Sequence, residues 1–217
     1  MTQTTTQPAT PAWPTEDEKL AREREVNALG MWVFLASEIM LFGGLFLVYF
    51  VYRFRYPAAF AEGSSELNMW LGALNTAVLL TSSLTMALAV HQARGSSRKT
   101  AVLFMLLTMA LGLLFLAIKG YEYWQDYQEG LVPGLNFTYS GAEQQAVALF
   151  LVLYFVMTAL HALHLSIGIV MVGVAIVWGQ IRPFAHDPAE PVEMIGLYWH
   201  FIDIVWVFLF PVLYLLR

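Results

Sequence analysis

The 217-residue chain contains no cysteine. Disulfide frameworks, thiolate zinc sites, iron–sulfur clusters and cysteine nucleophiles are thereby excluded. Charge is almost as scarce: 12% of the residues are Asp, Glu, Lys or Arg, against about 25% in a typical soluble domain. The 11 Lys and Arg are outnumbered by 16 Asp and Glu, for a net charge of −5. The basic face that nucleic acid requires is therefore missing. No Gly-rich phosphate loop, internal repeat or pair of broken hydrophobic segments is present, which argues against an inverted-repeat transporter. Residues 1–29 carry no apolar stretch of the kind a secretory leader has. They read as a polar, partly disordered arm, passing at an N-cap on Thr15 into a short polar helix.

What the chain has is apolar surface. The apolar fraction is 59%, above the roughly 45–50% of soluble domains, which suits a protein facing lipid, where helices or closed barrels satisfy the backbone. Five runs, about 30–52, 67–90, 100–119, 145–178 and 192–216, reach the roughly 20 residues needed to cross a bilayer. They are continuous and not alternating, so helices are expected and a strand barrel is not. The fold class is all-α: a polytopic bundle of five transmembrane helices over residues 30–217. The fourth run is too long to stand upright and should tilt or protrude. Lys19, Arg22, Arg24, Arg94, Arg98, Lys99 and Arg182 fall on one side, and Arg53, Arg55, Lys119 and Arg217 on the other. The basic side is expected to be inside, giving an inner N-terminus and an outer C-terminus. Tyr49, Tyr52, Trp70, Tyr121, Tyr123, Trp124, Trp178 and Tyr198 lie near the borders, as interfacial aromatic belts do.

Ionisable groups inside a span cost about 2.5–3.5 kcal/mol each on the insertion scale, so each requires a reason. Glu38, flanked by apolar residues in the first span, reads either as a carboxyl hydrogen-bonded across a helix interface or as a proton-exchanging or lipid-contacting group. His161 and His164 share a face of the fourth span, and His200 and Asp203 share one of the fifth. Metal or haem ligation and a proton relay are the functional readings, set against a buried hydrogen-bond network that holds the helices in register. A difference in depth of about 10 Å between His164 and His200, at 1.5 Å per residue, favours the network. Asn75, Thr76, Thr81, Ser82, Ser83 and Thr85 read as helix-association groups, with Gly72 permitting close approach. Ala162 and Ser166 form a similar small-residue pair. Glu122 at the outer end of the third span reads as a solvated rim charge, as do Asp126, Glu129 and Glu143.

Taken in order, these residues resemble subunit III of the haem-copper cytochrome oxidases. The pieces are SerGluIleMetLeuPhe at 37–42, LeuAsnThrAlaValLeuLeu at 74–80, TyrGluTyr at 121–123, HisAlaLeuHis at 161–164 and TyrTrpHisPheIleAspIleValTrp at 198–206. The resemblance covers Gly30 to Arg217. It implies a helical bundle beside subunits I and II, in the multi-pass setting of a bacterial inner membrane. It also implies haems and copper only in the partner subunits, no metal and no catalytic residue in this chain, and bound phospholipid. Glu38 matches the family's buried carboxylate, linked there to proton uptake and lipid. Glu122, His164, His200 and Asp203 match its polar cluster, as His161 does less specifically. Five spans in place of seven resemble the short bacterial type, so one wall of the family's lipid cleft is expected from elsewhere. Lys119 stands where an uncharged residue is expected.

The resemblance thus implies a non-catalytic subunit of a respiratory oxidase. The complex would reduce oxygen to water with electrons from cytochrome c or quinol, coupled to proton translocation, within a larger respiratory supercomplex. Its rivals are an accessory protein of nitric oxide reductase, a b-type cytochrome anchor using His161 or His164 with His200, and a small proton-coupled transporter using Glu38.

Overall fold

The computed structural model describes residues 15–95, 97–139, 143–181 and 189–216. Among these residues there is no strand. The helices are α1 (Glu16–Arg55), α2 (Pro57–Glu66), α3 (Met69–Arg94), α4 (Arg98–Gln128), α5 (Gln144–Ile181) and α6 (Ala189–Phe210), followed by a π-helical segment, Pro211–Leu215. Five helical stretches are long and apolar enough to cross a membrane: Glu18–Arg55, Met69–Arg94, Arg98–Gln128, Gln144–Gly179 and Pro191–Leu215. Each overlaps one of the five expected runs. The short α2 was not anticipated. The expected disordered arm, residues 1–14, lies outside the described residues.

Local chemistry sets most helix ends. Thr15 Oγ1 accepts from the Glu18 N–H at 3.3 Å, and the Glu18 carboxylate accepts from the Thr15 N–H at 2.8 Å, a reciprocal capping box. The short polar helix expected from Thr15 is not a separate element. Leu20, Ala21, Arg22, Glu23, Arg24 and Glu25 are strong helix formers with no breaker behind them, so the polar segment and the first span form one helix. Pro57 starts α2 at a position where a missing N–H does no harm. Asn68 caps α3, its side chain accepting from the N–H groups of Trp70 and Leu71 at 3.1 and 3.3 Å. α4 runs to Gln128, past the expected end at residue 119. Past its end, Gly130 has φ +71°, which an L side chain rarely adopts, and a Cβ there would also meet Thr138. Pro211 cannot donate to the preceding turn, and the helix continues with the wider π pitch.

Contacts divide the chain into two units, Met1–Glu38 and Ile39–Arg217. Within the second, α3 packs on α4 and α6, and α5 packs on α6, α2 and α4. Trp199 is completely buried at the centre. Its indole Nε1 donates to Ser82 Oγ at 3.1 Å. A Cβ on Gly112 of α4 would lie 2.9 Å from this ring and one on Gly168 of α5 3.3 Å, so both glycines let α6 approach. Gly72 acts as expected: a Cβ there would lie 2.9 Å from Phe210. Tyr52, Trp70, Tyr121, Trp124 and Trp178 are exposed, as belt residues should be. Tyr49 and Tyr198 are instead buried, their hydroxyls donating to the carbonyls of Val212 (2.7 Å) and His164 (3.1 Å).

Candidate functional site

The densest group of buried ionisable side chains lies toward the C-terminal end of α4. Lys119, Glu122 and Asp126 fall at a spacing that places them on one helical face, and they are only 2%, 1% and 4% exposed. Lys119 Nζ donates to Glu122 Oε2 at 3.1 Å, to the Tyr154 hydroxyl of α5 at 3.0 Å and to the Tyr214 hydroxyl at 2.6 Å. Tyr214 donates to Glu122 Oε1 at 2.5 Å. The Tyr154 oxygen lies 3.1 Å from Glu122 Oε1 and 3.3 Å from Asp126 Oδ2. The ammonium also sits 4.6 to 5.5 Å from the ring centroids of Tyr154, Tyr214, Tyr123 and Trp206. Aromatic faces stabilise a desolvated cation, and hydrogen bonds satisfy the carboxylate, the two conditions under which a buried pair is tolerated.

This cluster corrects two readings. Glu122 and Asp126 are not solvated rim charges, whereas Glu129 and Glu143 are exposed. Lys119, unexplained in the sequence, is the counter-ion of Glu122. Lys119, Asp126, Tyr154 and Tyr214 were missed as site residues: the third run was ended at Lys119, short of Asp126, and the two tyrosines come from other elements. The common face of Lys119, Glu122 and Asp126 was the available signal.

A second polar seam joins α3 to α6. Trp206 Nε1 donates to Thr76 Oγ1 at 3.1 Å, Trp199 Nε1 to Ser82 Oγ at 3.1 Å, and Ser83 Oγ bonds with His200 Nδ1 at 2.8 Å. Thr85 and Thr108 bond across α3 and α4 at 2.7 Å. Thr76, Ser82, Ser83 and Thr85 thus associate helices as their spacing suggested. Thr81 is exposed and bonds only the Ala77 carbonyl of its own helix, at 2.8 Å. Ser166 likewise bonds back to Ala162, at 2.8 Å.

The histidines separate into distinct surroundings. His200 turns toward α3. His161 is fully buried between Phe115 and Trp206, with ring centroids 5.5 and 5.0 Å away. His164 bonds the Leu160 carbonyl through Nδ1 at 2.7 Å and packs on Phe42 at 5.3 Å. Both ring nitrogens of His161, both carboxyl oxygens of Asp203 and the Asn75 amide are buried without a hydrogen-bond partner among the described residues. Ser83 is the neighbouring hydroxyl that acts on Asp203, while its close contact is with His200. No group of three or more His, Cys, Asp or Glu arranged to hold a metal occurs among the described residues. Glu38 is half-buried on α1. From Ile39 onward, α1 and α6 border an apolar groove of about 300 Å³, lined chiefly by Phe42, Gly43, Phe46, Phe50, Ile204 and Phe208.

The arrangement stores charge and hydrogen bonds inside a bundle. A family model described as "Cytochrome c oxidase subunit III" matches residues 19–217. A "Probable quinol oxidase subunit 3" of Staphylococcus aureus (strain USA300) is 30% identical over 194 residues, covering 89% of this chain and 90% of the relative. The protein of the same name in Staphylococcus saprophyticus subsp. saprophyticus is 29% identical over 199 residues, covering 92% of this chain and 93% of the relative.

Proposed function

The chain belongs to the cytochrome c oxidase subunit III family and is a non-catalytic, multi-pass membrane subunit of a haem-copper oxidase; from that premise we propose that it braces subunits I and II in a bacterial inner membrane and supports proton uptake and lipid or oxygen access at subunit I. The observation that carries this reading is the extent of the family match, residues 19–217, which takes in every span and every polar residue of the site. The haems and copper belong to the partner subunits in this proposal. Glu38, half-buried within a span, is the carboxyl through which proton uptake is supported. The apolar groove beside Phe42 and Phe46 fits an acyl chain, which makes a phospholipid its proposed occupant.

The proposed orientation keeps the N-terminus inside. The sequence count of seven basic residues against four included Lys119, which is buried in an ion pair and does not flank a span. Without it the balance is seven against three, and the bias strengthens.

Affinity purification of the tagged chain in mild detergent tests the assignment. Haem- and copper-bearing oxidase subunits should co-elute, with oxygen consumption on an added donor. The name shared by the relatives makes quinol the first donor to try, and reduced cytochrome c the second. Recovery with nitric oxide reductase subunits, or stoichiometric haem in the isolated chain, would reject the reading.

A further inference from the structure

The cluster on α4 contains one cation and two carboxyls, all nearly inaccessible to water. Counting its hydrogens decides which atoms carry them. The Lys119 ammonium has three N–H groups and uses them on Glu122, Tyr154 and Tyr214. The Tyr214 hydroxyl has one hydrogen and uses it on Glu122 Oε1. The Tyr154 hydroxyl also has one hydrogen, yet its oxygen lies within hydrogen-bond distance of two carboxyl oxygens, Glu122 Oε1 and Asp126 Oδ2. With both carboxyls ionised, one of these oxygen–oxygen contacts would have no hydrogen in it. Two lone pairs would face each other in a site that water does not reach, and the cluster would hold an uncompensated negative charge.

One added proton closes the count. If it sits on Asp126, the acid O–H donates to Tyr154 and the Tyr154 hydroxyl donates to Glu122. Each short contact then contains one hydrogen, and Lys119 balances Glu122. Only the 3.5 Å separation of the two tyrosine hydroxyls is left empty. Placing the proton on Glu122 is worse, because Lys119 contacts Glu122 directly and would lose its ionised partner. We infer that Asp126 is a proton-binding site, a neutral acid that hands its hydrogen bond through Tyr154 to the ionised Glu122.

Other charges do not upset this balance. On α4, Glu129 is in electrostatic reach of Asp126 and adds negative potential, which favours the bound proton, and Tyr123 bonds Thr158 at 2.6 Å. From α5, His161 lies within reach of Lys119, and from α6 Trp206 faces the ammonium. The acidic groups of α2, Glu62 and Glu66, act on Tyr139. The ionisable end of α3, Arg94, pairs with Glu193 at 2.6 Å.

Infrared spectroscopy of the full chain in lipid nanodiscs tests the assignment without an oxidase partner, so its outcome is separate from that of the proposed function. The chain has four aspartates, and among the described residues Asp126 and Asp203 are the ones that lie in spans. Aspartate carrying heavy carbon in its side-chain carboxyl is incorporated into an Asp203→Asn variant. A label-shifted carbonyl band of a protonated acid should be present at neutral pH, and Asp126→Asn should remove it. Asp126→Asn, which mimics the neutral acid, should melt close to the parent, while Glu122→Gln should melt well below it. No labelled band in Asp203→Asn, or Asp126→Asn melting lower than Glu122→Gln, would overturn the inference.

Discussion

Lys119 and Glu122, one turn apart on α4, form an ion pair of 3.1 Å between side chains that are 3% and 1% exposed. Such a pair is not in itself a gain in stability, because desolvating both charges offsets much of their attraction. Breaking it is another matter. Lys119→Met should destabilise the folded chain by about 3–5 kcal/mol, since Glu122 and its tyrosine partners remain without a cation. Adding Glu122→Gln to that variant should recover a large part of the loss. Denaturation of the three proteins in the same detergent gives the comparison, and a single variant as stable as the parent would refute the buried pair.

The α3–α6 seam yields a test of coupling. Ser83 Oγ and His200 Nδ1 are 2.8 Å apart and link helices far apart in sequence. Ser83→Ala and His200→Leu should each lower stability by about 1 kcal/mol, with His200→Leu also weakening assembly with the partner subunits. The double variant should be less damaging than the sum, with a coupling of about 0.5–1 kcal/mol. Strict additivity would mean that the contact carries no energy.

Glycine chemistry around Trp199 can be separated from glycine chemistry in general. A Cβ at Gly112 would lie 2.9 Å from the Trp199 ring, while one at Gly120 on the same helix meets nothing within 4 Å. Gly112→Val should therefore cost about 1–3 kcal/mol through overpacking. Gly120→Ala should be neutral or stabilise by about 0.4–1 kcal/mol, because it removes unfolded-state freedom at a helical position. Thermal melts of the two variants check the contrast, which disappears if Trp199 can move aside.

How much of this was legible beforehand follows from which signals are local. The five spans, the Thr15 cap and the pairing role of Ser82 and Ser83 were readable because length, capping chemistry and helical spacing are local quantities. The end of α4 was misplaced because Lys119, Glu122 and Asp126 look like polar punctuation in one dimension. Only packing from Tyr154 and Tyr214, distant in sequence, turns that face inward. Of the three histidines singled out within the spans, His161 and His164 are buried and His200 is half-buried. Spacing says which residues share a face, but not which neighbour the face meets, and His200 meets α3 while His161 meets Trp206.

The groove between Ile39 and Val212 has room for an added side chain at Gly43, where a Cβ would meet nothing within 4 Å. Gly43→Leu should fill part of it and lower the phospholipid that survives purification, counted per chain by mass spectrometry. Stability should change little, because no existing contact is displaced. Lipid retention equal to that of the parent would remove the groove as the binding place.

Glu38 tests the functional proposal most directly. It is half-buried on α1, with Ile39 and Met40 beside it exposed. Glu38→Gln keeps the shape and a hydrogen-bonding amide but cannot gain or lose a proton in the working range, so assembly of the oxidase should be unchanged. What should change is proton-linked behaviour: slower turnover under conditions where proton uptake limits the rate, or faster inactivation during sustained turnover. Glu38→Asp, which retains the carboxyl, should restore part of the difference and so separates proton exchange from packing. Measured together, oxygen consumption across pH and activity lost per turnover distinguish the two roles, since a packing residue would leave both at parental values while Glu38→Asp, by shortening the side chain, did the greater harm.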